Sequence, residues 1–384
     1  MFPLRNAKRF FYKAMQQPGY ALKVAVKRLR AYRAYNSGSG WSSSPEAVTF
    51  FLTYRCNLHC QMCGQWGEGG VTKKQNAQYI NQELSLEDLI SVIDDISKSK
   101  PNITLFGGEP LIYPHTVELI RQIKKRSMHC LMITNGSLLK QTAQNIVEAG
   151  LDELNVSLDG AAQLHDRIRG MPGLFDKIME GLAEVNRFKK INNRRRPLIN
   201  LQCTINKENY QYLEQMLETA RVLKVNSLTF HNLIFLNKEI IEKQKGFDAL
   251  LECSSSNWEG FILNPGIEPK ELHKKIQEIL SGKYGFKVDF YPNFSYEGLQ
   301  DYYNNPDYKP LEFPSRCVSP WIAAYVFPDG EVRPCLNSSF SYGNIRKNKF
   351  TAIWNSAQAT KYRQLLKKER SFPVCVRCTE LYRY

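Results

Sequence analysis

From residue 46 onward, short apolar segments that suit β-strands alternate with longer segments of helical periodicity. The strand candidates are residues 48–53, 103–106, 130–134, 153–158, 198–205 and 227–231. Parallel strands need a crossover between them, commonly a helix, so this alternation favours a parallel sheet covered by helices. Six strands are fewer than a closed barrel of this type requires. We therefore predict an α/β fold, a partial (β/α)6 TIM-like barrel, over residues 46–240.

The remainder of the chain divides into three further segments. Residues 1–45 form a basic arm that ends in a linker rich in Gly and Ser. Residues 241–310 are less regular, with one clear helical pattern and a candidate strand at 286–294, and we describe them as a bridging region. After residue 311, short segments rich in aromatic residues, Pro, Gly and Cys predict a small domain held together by metal, residues 311–384.

Composition indicates the cellular environment. Hydrophobic residues make up 43 % of the 384-residue chain, which is ample for globular cores, but the apolar runs are too short to span a bilayer. No signal peptide is evident, so the expected compartment is the cytoplasm. There the ten cysteines should be reduced thiols, metal ligands or catalysts rather than disulfides. Cys130 and Cys203 lie in apolar strand patterns and should be buried and inert, and Cys253 stands alone.

Three cysteines, Cys56, Cys60 and Cys63, lie within eight residues just past the first predicted strand. In parallel α/β folds, functional sites gather at the C-terminal ends of strands. Structural zinc normally takes four ligands, and His59 is awkward as the fourth because it adjoins Cys60. A [4Fe–4S] cluster suits cysteine thiolates better. Three thiolates would leave one iron open to an external ligand.

The spacing Cys-x3-Cys-x2-Cys after a first β-strand resembles the signature of radical S-adenosylmethionine (SAM) enzymes. In that family the open iron binds the amino and carboxylate groups of SAM. The reduced cluster passes one electron to SAM, and the resulting 5′-deoxyadenosyl radical abstracts a hydrogen atom from the substrate. The resemblance therefore implies an oxygen-sensitive enzyme whose protein part holds cofactor and substrate and excludes competing partners.

The segment "LFGGEP", at the end of the second predicted strand, extends the resemblance. It is similar to the family's Gly-Gly-Glu segment, which implies that Gly107, Gly108 and Glu109 contact the amino group of SAM. The physical chemistry agrees with this role. Glycines permit close approach of the backbone to a ligand, and a carboxylate suits an ammonium group.

Two later segments, "ITNGSLL" and "LNVSLDGAAQLHDRIRG", also resemble family segments. They imply that Asn135, Ser157 and Arg169 take part in cofactor binding, with Ser157 directed to the ribose or carboxylate of SAM and Arg169 to the carboxylate. The sequence departs from the family at Met62, where an aromatic residue usually stacks near the adenine. Methionine can also pack against a ring.

A second group of cysteines, Cys317, Cys335, Cys375 and Cys378, lies near the C-terminus. The intervening "PDG" is a turn signal, so a hairpin around Gly330 should bring Cys317 and Cys335 together. From these residues alone, zinc and an iron–sulfur cluster explain the group equally well.

The full pattern of Cys-x12-Gly-x4-Cys, Gly-Asn-Ile and Cys-x2-Cys resembles the SPASM and twitch auxiliary-cluster domains that follow many radical SAM enzymes. Full SPASM domains have more cysteines and two clusters. Four cysteines saturate one cluster, so the resemblance implies a single auxiliary [4Fe–4S] cluster, as in the twitch variant. That cluster would accept an electron from a substrate radical, supply one, or organise the fold.

The resemblance also implies partners. An external reductant such as flavodoxin or ferredoxin must supply electrons. We favour a peptide or protein side chain as the substrate, because such substrates are frequent among SPASM relatives, and a small molecule, sugar or membrane-associated lipid remains the alternative. No catalytic acid or base is assigned. The rival class is a non-catalytic metal-binding or nucleic-acid-binding protein that uses both cysteine groups structurally.

The basic arm carries most of the net charge of +15, since residues 1–45 contain nine Lys or Arg and no acidic residue. Two short helical segments are predicted, broken near Pro18 and Gly19. The arm could pack on the barrel as a helix with solvated charges, or lie on the inner face of a membrane. Nucleic-acid binding is the least favoured interpretation, because no nucleic-acid-binding fold signature accompanies the charge.

Overall fold

The computed structural model describes Met15 and residues 18–384. Its centre is a ten-stranded sheet in the order β10-β9-β8-β1-β2-β3-β4-β5-β6-β7. The strands are β1 (Ala47–Phe51), β2 (Asn102–Phe106), β3 (Cys130–Thr134), β4 (Glu153–Ser157), β5 (Leu198–Thr204), β6 (Ser227–His231), β7 (Lys287–Tyr291), β8 (Ala323–Val326), β9 (Glu331–Arg333) and β10 (Gly343–Asn344). Strands β1 to β8 pair in parallel, and only β8–β9 and β9–β10 are antiparallel among these pairs.

Helices follow most of the strands. The α-helices of the described residues are α1 (Pro18–Ser37), α2 (Ala77–Ile80), α3 (Leu86–Ile96), α4 (Thr116–Lys125), α5 (Leu139–Glu148), α6 (Ala162–Arg169), α7 (Leu174–Ile191), α8 (Gln215–Val222), α9 (Lys238–Leu251), α10 (Pro269–Ser281), α11 (Tyr296–Asn304), α12 (Phe350–Ile353), α13 (Ala357–Glu369) and α14 (Thr379–Arg383). This strand–helix order confirms the predicted α/β class.

Local sequence explains where these elements begin. Helix α3 starts with a capping box, in which Ser85 Oγ accepts from Asp88 N at 3.0 Å and Asp88 Oδ2 accepts from Ser85 N at 3.3 Å. The hairpin β8–β9 turns at Gly330, whose φ of +87° is in the left-handed region that glycine adopts without strain. The turn at Gly330 follows the sequence-based expectation.

All six predicted strands are present with ends within two residues of the expected ones, but the sheet is larger than predicted. The candidate strand at 286–294 forms β7 and pairs in parallel with β6. On the other side, β8 pairs in parallel with β1 and so attaches the C-terminal hairpin to the same sheet. Strands from three predicted segments, 46–240, 241–310 and 311–384, therefore share one sheet. Sequence periodicity marks a strand but does not show which edge it joins.

The two faces of the sheet differ in burial. One face carries fully buried apolar residues such as Phe50, Leu105 and Met132, which pack beneath the helices. On the other face, the alternate residues of β4, β5 and β6 are mostly half-buried, including Asn155 and Gln202. In a barrel this second face is the one that turns inward. The inner wall is therefore polar and partly open to solvent along these strands.

Helix α1 packs on the body of the protein, as the first of the three interpretations of the arm expected. Lys27 Nζ donates to the carbonyl oxygen of Lys100 at 3.0 Å, and Arg28 Nη2 lies 2.7 Å from Glu46 Oε1. The earlier of the two predicted helical segments falls, except for Met15, outside the described residues. Among the residues that are described, no helix is long and apolar enough to cross a membrane. Cys130 and Cys203 are fully buried, as predicted.

Candidate metal centres

The first three cysteines lie in one loop, residues 52–75, which leaves the C-terminal end of β1; we call it the triad loop. Cys60 is buried, whereas Cys56 and Cys63 are partly exposed. Backbone bonds from Cys63 N to the Cys60 carbonyl (3.0 Å) and from Gly67 N to the Cys63 carbonyl (2.9 Å) fold the loop back on itself. Burial raises the pKa of the Cys56 thiol to about 12, and the nearby thiols of Cys60 and Cys63 add to this effect.

Each of these thiols faces an N–H donor from a different part of the fold. Asn135 Nδ2 lies 3.9 Å from Cys56 Sγ, and Arg169 Nη1 lies 3.7 Å from Cys60 Sγ. The backbone N–H of Trp66 lies 3.4 Å from Cys63 Sγ. Donors of this kind stabilise negative charge on sulfur, and hydrogen bonds to sulfur are one of the means by which proteins tune iron–sulfur clusters. The three thiols therefore fit a thiolate-bound metal centre.

Gly107 and Gly108 follow β2 and pack directly against the beginning of the triad loop. Gly108 N donates to the Thr53 carbonyl at 2.8 Å, and Glu109 N donates to the Arg55 carbonyl at 2.9 Å. A Cβ at Gly108 would lie 2.2 Å from the Arg55 carbonyl oxygen, and one at Gly107, where φ is +156°, would lie 2.7 Å from that of Thr53. Only glycine allows this approach. The two glycines thus position the segment that leads into Cys56.

Glu109 is fully buried and joins the ends of β2 and β3. Its carboxylate accepts hydrogen bonds from Thr134 Oγ1 (2.7 Å), Asn135 N (2.8 Å) and Leu111 N (3.0 Å). Burial raises the pKa of Glu109 to about 7, although these hydrogen bonds oppose the shift. The carboxylate therefore has a clear structural role, and its predicted contact with the amino group of SAM stays a prediction.

Asn135 and Arg169, predicted from sequence to bind cofactor, are both brought to the triad loop. Asn135 Nδ2 also donates to Asn57 Oδ1 at 2.9 Å. Arg169 Nε donates at 2.5 Å to Oδ2 of Asp159, a fully buried residue just after β4. Although burial acts to lower it, the pKa of Arg169 is held above its usual value by Asp159 and by the Cys60 thiol. Ser157 lies at the end of β4 and is half-buried on the inner face.

The four C-terminal cysteines, Cys317, Cys335, Cys375 and Cys378, line one cavity, which we call the auxiliary cavity. They reach it from the loop before β8, the end of β9 and the turn before α14. Burial raises the pKa of all four thiols, and neighbouring thiols raise it further at Cys317, Cys375 and Cys378. Four thiols that disfavour one another's ionisation suit a cation, because a coordinating thiol is deprotonated by the metal itself.

A fifth cysteine, Cys253, also lines the auxiliary cavity, which the sequence analysis missed. The loop that carries it follows α9 and is held by Asp248, whose carboxylate accepts from Ser255 N at 2.7 Å and Ser255 Oγ at 2.8 Å. Gln244 lines the same cavity; it is buried, and its Oε1 atom has no hydrogen-bond partner. Cys253 is 64 residues before Cys317, so no local motif connects it with the others.

An aromatic cluster includes Tyr54 of the triad loop and contacts one cysteine of the second group. Phe51 stacks on Phe327 with ring centroids 5.1 Å apart and contacts Tyr54 at 5.2 Å. Tyr54 is two residues before Cys56, and Cys335 packs against the same cluster. These buried rings therefore connect the triad loop, through Tyr54, with one thiol of the auxiliary cavity.

Thiols arranged as one group of three and one group of four suit two metal centres, of the zinc or the iron–sulfur type. Comparison with known proteins specifies the class. Residues 50–220 match the family model of the radical SAM superfamily, and residues 317–379 match that of the SPASM iron–sulfur cluster-binding domain. The chain belongs to the radical SAM superfamily and carries a SPASM-type domain. It therefore uses SAM, a [4Fe–4S] cluster and an auxiliary iron–sulfur cluster.

Individual relatives are distant in sequence, but the alignments cover most of both chains. The chain is 27 % identical over 340 residues to an AdoMet-dependent heme synthase of Methanosarcina barkeri, covering 88 % of this chain and 89 % of the relative. It is 21 % identical over 348 residues to a tungsten-containing aldehyde ferredoxin oxidoreductase cofactor-modifying protein of Pyrococcus furiosus, covering 85 % of each. Among solved structures, SuiB of Streptococcus suis bound to SAM matches with a TM-score of 0.60 at 12 % identity, covering 86 % of this chain and 70 % of that one. This last likeness shows the shared fold.

Proposed function

We propose that this radical SAM enzyme abstracts a hydrogen atom from a substrate held against the inner wall of the barrel. The observation that carries the proposal is the triad loop, in which each of three thiols faces one N–H donor at the C-terminal edge of a parallel sheet. Three thiolates leave one iron of a [4Fe–4S] cluster open. When bound, cluster and SAM together supply a reducing electron and a carbon-centred radical at that edge.

Different residues of the chain would bind the cluster and SAM. Cys56, Cys60 and Cys63 would hold the cluster of the radical site. Gly107 and Gly108 would let the backbone approach SAM closely while they fix the start of the triad loop. The remaining predicted cofactor-binding residues are Glu109, Asn135, Ser157 and Arg169. Of these, Asn135 and Arg169 already contact a cysteine sulfur, so they are suited to orient cluster and cofactor together.

We propose that Cys317, Cys335, Cys375 and Cys378 hold one auxiliary [4Fe–4S] cluster, and that residues 311–384 form the domain around it. A cluster saturated by four thiolates supplies one-electron transfer rather than substrate binding. The aromatic cluster of Phe51, Tyr54 and Phe327 packs against Cys335 and would shield that side of the auxiliary cluster from water. We assign the chain to the oxidoreductases or maturases on this basis.

The inner wall favours a small polar molecule as the substrate. Half-buried Asn155, Asn200 and Gln202 present amide groups along β4 and β5, and Gln202 Oε1 lies 2.5 Å from His231 Nε2 on β6. The relatives that cover most of the chain are named for synthesis or modification of cofactors, including heme, which supports a small molecule over the peptide or protein side chain that we favoured from sequence. A peptide remains the alternative.

A substrate panel tests this proposal. The reconstituted and reduced enzyme is offered porphyrins, nucleosides, sugars and short peptides, and formation of 5′-deoxyadenosine is measured above the rate without substrate. We expect stimulation by a small molecule, and transfer of deuterium from the labelled molecule into 5′-deoxyadenosine. Stimulation by peptides alone would favour the alternative, and stimulation without deuterium transfer would contradict hydrogen-atom abstraction.

A matched pair of variants tests whether the substrate binds at the inner wall. Gln202→Leu changes the inner wall, and Gln144→Leu makes the same change on the exposed surface of α5. We expect Gln202→Leu to lower the substrate-dependent rate by about tenfold, since a half-buried polar partner is lost, while cleavage of SAM without substrate continues. Equal behaviour of the two variants would remove the inner wall from the proposal.

We further propose that the enzyme acts in the cytoplasm, with flavodoxin or ferredoxin as its reductant. A radical site of this kind needs a low-potential electron donor, and the reducing cytoplasm preserves its thiols. Assays that follow the oxidation of reduced flavodoxin or ferredoxin by the enzyme would rank the two donors.

A further inference from the structure

Helix α1 exposes an apolar stripe to solvent. Leu22, Val26 and Leu29 are 68 %, 40 % and 61 % exposed. Their spacing of four and three residues places them on one face of the helix. Single exposed apolar residues are ordinary on protein surfaces, whereas a contiguous stripe marks an interaction site.

The rest of the helix fixes this stripe outward. Ala21, Val24, Ala31 and Ala34 are buried on the opposite face of α1. The hydrogen bond of Lys27 to the Lys100 carbonyl and the ion pair of Arg28 with Glu46 tie the same side of the helix to the body. The stripe therefore cannot turn into the core without breaking these contacts.

The charge around the stripe identifies what covers it. Lys23, Arg30 and Arg33 are exposed, and residues 1–45 contain no acidic residue. An apolar stripe with exposed cations and no anions fits the interface of an anionic lipid bilayer, where side chains of both kinds contribute. Nucleic acid would use the cations but would leave the apolar side chains in water. We infer that α1 lies on an anionic lipid surface through this stripe.

The position of α1 in the fold determines how the enzyme would face that surface. Glu46 immediately precedes β1, and Lys100 is two residues before β2, so the contacts of α1 lie at the N-terminal edge of the parallel strands. The triad loop leaves the opposite, C-terminal edge of β1. The radical site therefore points away from the lipid surface, and the substrate enters from the aqueous side. A substrate embedded in the membrane does not fit this orientation.

Flotation with lipid vesicles tests the inference on the full-length, reconstituted chain. Vesicles of phosphatidylcholine alone are compared with vesicles that also contain phosphatidylglycerol. The variant Leu22→Gln/Val26→Gln/Leu29→Gln removes the stripe. The matched control, Val222→Gln/Leu250→Gln/Leu280→Gln, removes three apolar side chains that are 59 %, 62 % and 41 % exposed elsewhere on the surface.

We expect the wild type and the control to float with anionic vesicles and the stripe variant to remain at the bottom of the gradient. Replacement of Lys23, Arg30 and Arg33 by Gln should weaken binding by roughly fivefold per cation and reduce its salt dependence. Cleavage of SAM without substrate should be unchanged in all variants, which shows that they are folded.

Three results would overturn the inference. In the first, the wild type floats equally with anionic and neutral vesicles. In the second, the stripe variant floats as the wild type does. In the third, the stripe variant changes the oligomeric mass in light scattering and leaves flotation unaffected, which would make the stripe a contact between protein chains.

Discussion

Replacing Gly108 by alanine tests the contact between the glycine loop and the triad loop. The added Cβ would lie 2.2 Å from the Arg55 carbonyl oxygen and 2.6 Å from its carbonyl carbon, whereas ordinary contacts begin near 3.4 Å. The obstacle is backbone, so one of the two segments must move by about 1 Å. Overpacking of this kind costs about 1–3 kcal/mol.

The displacement would also disturb two hydrogen bonds. Gly108 N to the Thr53 carbonyl and Glu109 N to the Arg55 carbonyl, at 2.8 and 2.9 Å, hold the loops together, and each contributes about 1 kcal/mol. Because Arg55 adjoins Cys56, the shift should reach the first cysteine. We expect Gly108→Ala to lose the cluster of the radical site, so that iron falls from about eight to about four atoms per chain.

The assay is iron analysis after anaerobic reconstitution, together with thermal unfolding. Gly246→Ala is the matched control, because Gly246 lies within α9 and nothing lies within 4 Å of its added Cβ. Alanine at such a position should stabilise the protein by roughly 0.5–1 kcal/mol. If Gly108→Ala retained the iron content and melting temperature of the control, the role assigned to the two glycines would be wrong.

Three further predictions concern Glu109, Arg169 and Cys253. Glu109 has a pKa of about 7 in the folded protein against 4.5 unfolded, so the folded state binds this proton more tightly. The free energy of unfolding should therefore fall by about 3 kcal/mol as the pH rises through that window. Thermal unfolding at pH 5 and pH 8 should show a flatter pH dependence for Glu109→Gln than for the wild type. Arg169→Gln leaves the buried Asp159 carboxylate unpaired and should destabilise the protein by about 3–5 kcal/mol, measured as a lowered melting temperature, whereas Arg169→Lys should recover part of the loss. Cys253→Ser should keep the iron content but shift the midpoint potential of the auxiliary cluster in an EPR-monitored redox titration. Cys335→Ser should lose about four irons. An unchanged midpoint potential in Cys253→Ser would show that Cys253 does not influence the cluster.

Local patterns predicted most of the fold because each depends on residues close in sequence. The turn at Gly330 was evident from a few letters. The partners of β7 and β8 were not, because pairing at a sheet edge depends on contacts between distant segments. The same reason explains why Cys253 was thought to stand alone.

The candidate site was also predicted only where its residues are close in sequence. The spacing of Cys56, Cys60 and Cys63 is local, and it identified the family that the comparisons confirm. The donors that face these thiols are not local: Asn135 arrives from the end of β3 and Arg169 from α6, and the third donor is a backbone amide that every residue except proline has. Glu109 was expected to face SAM, but its complete burial among three donors could be seen only in the folded chain.

The most direct test of the central claim compares iron content and SAM cleavage in the wild type and in Cys60→Ala. After anaerobic reconstitution and reduction, the wild type should hold about eight irons per chain and form 5′-deoxyadenosine from SAM. Cys60→Ala should keep about four irons, in the auxiliary cavity, and form none. Binding of zinc in place of iron by the wild type, or 5′-deoxyadenosine formation by Cys60→Ala at the wild-type rate, would contradict the account.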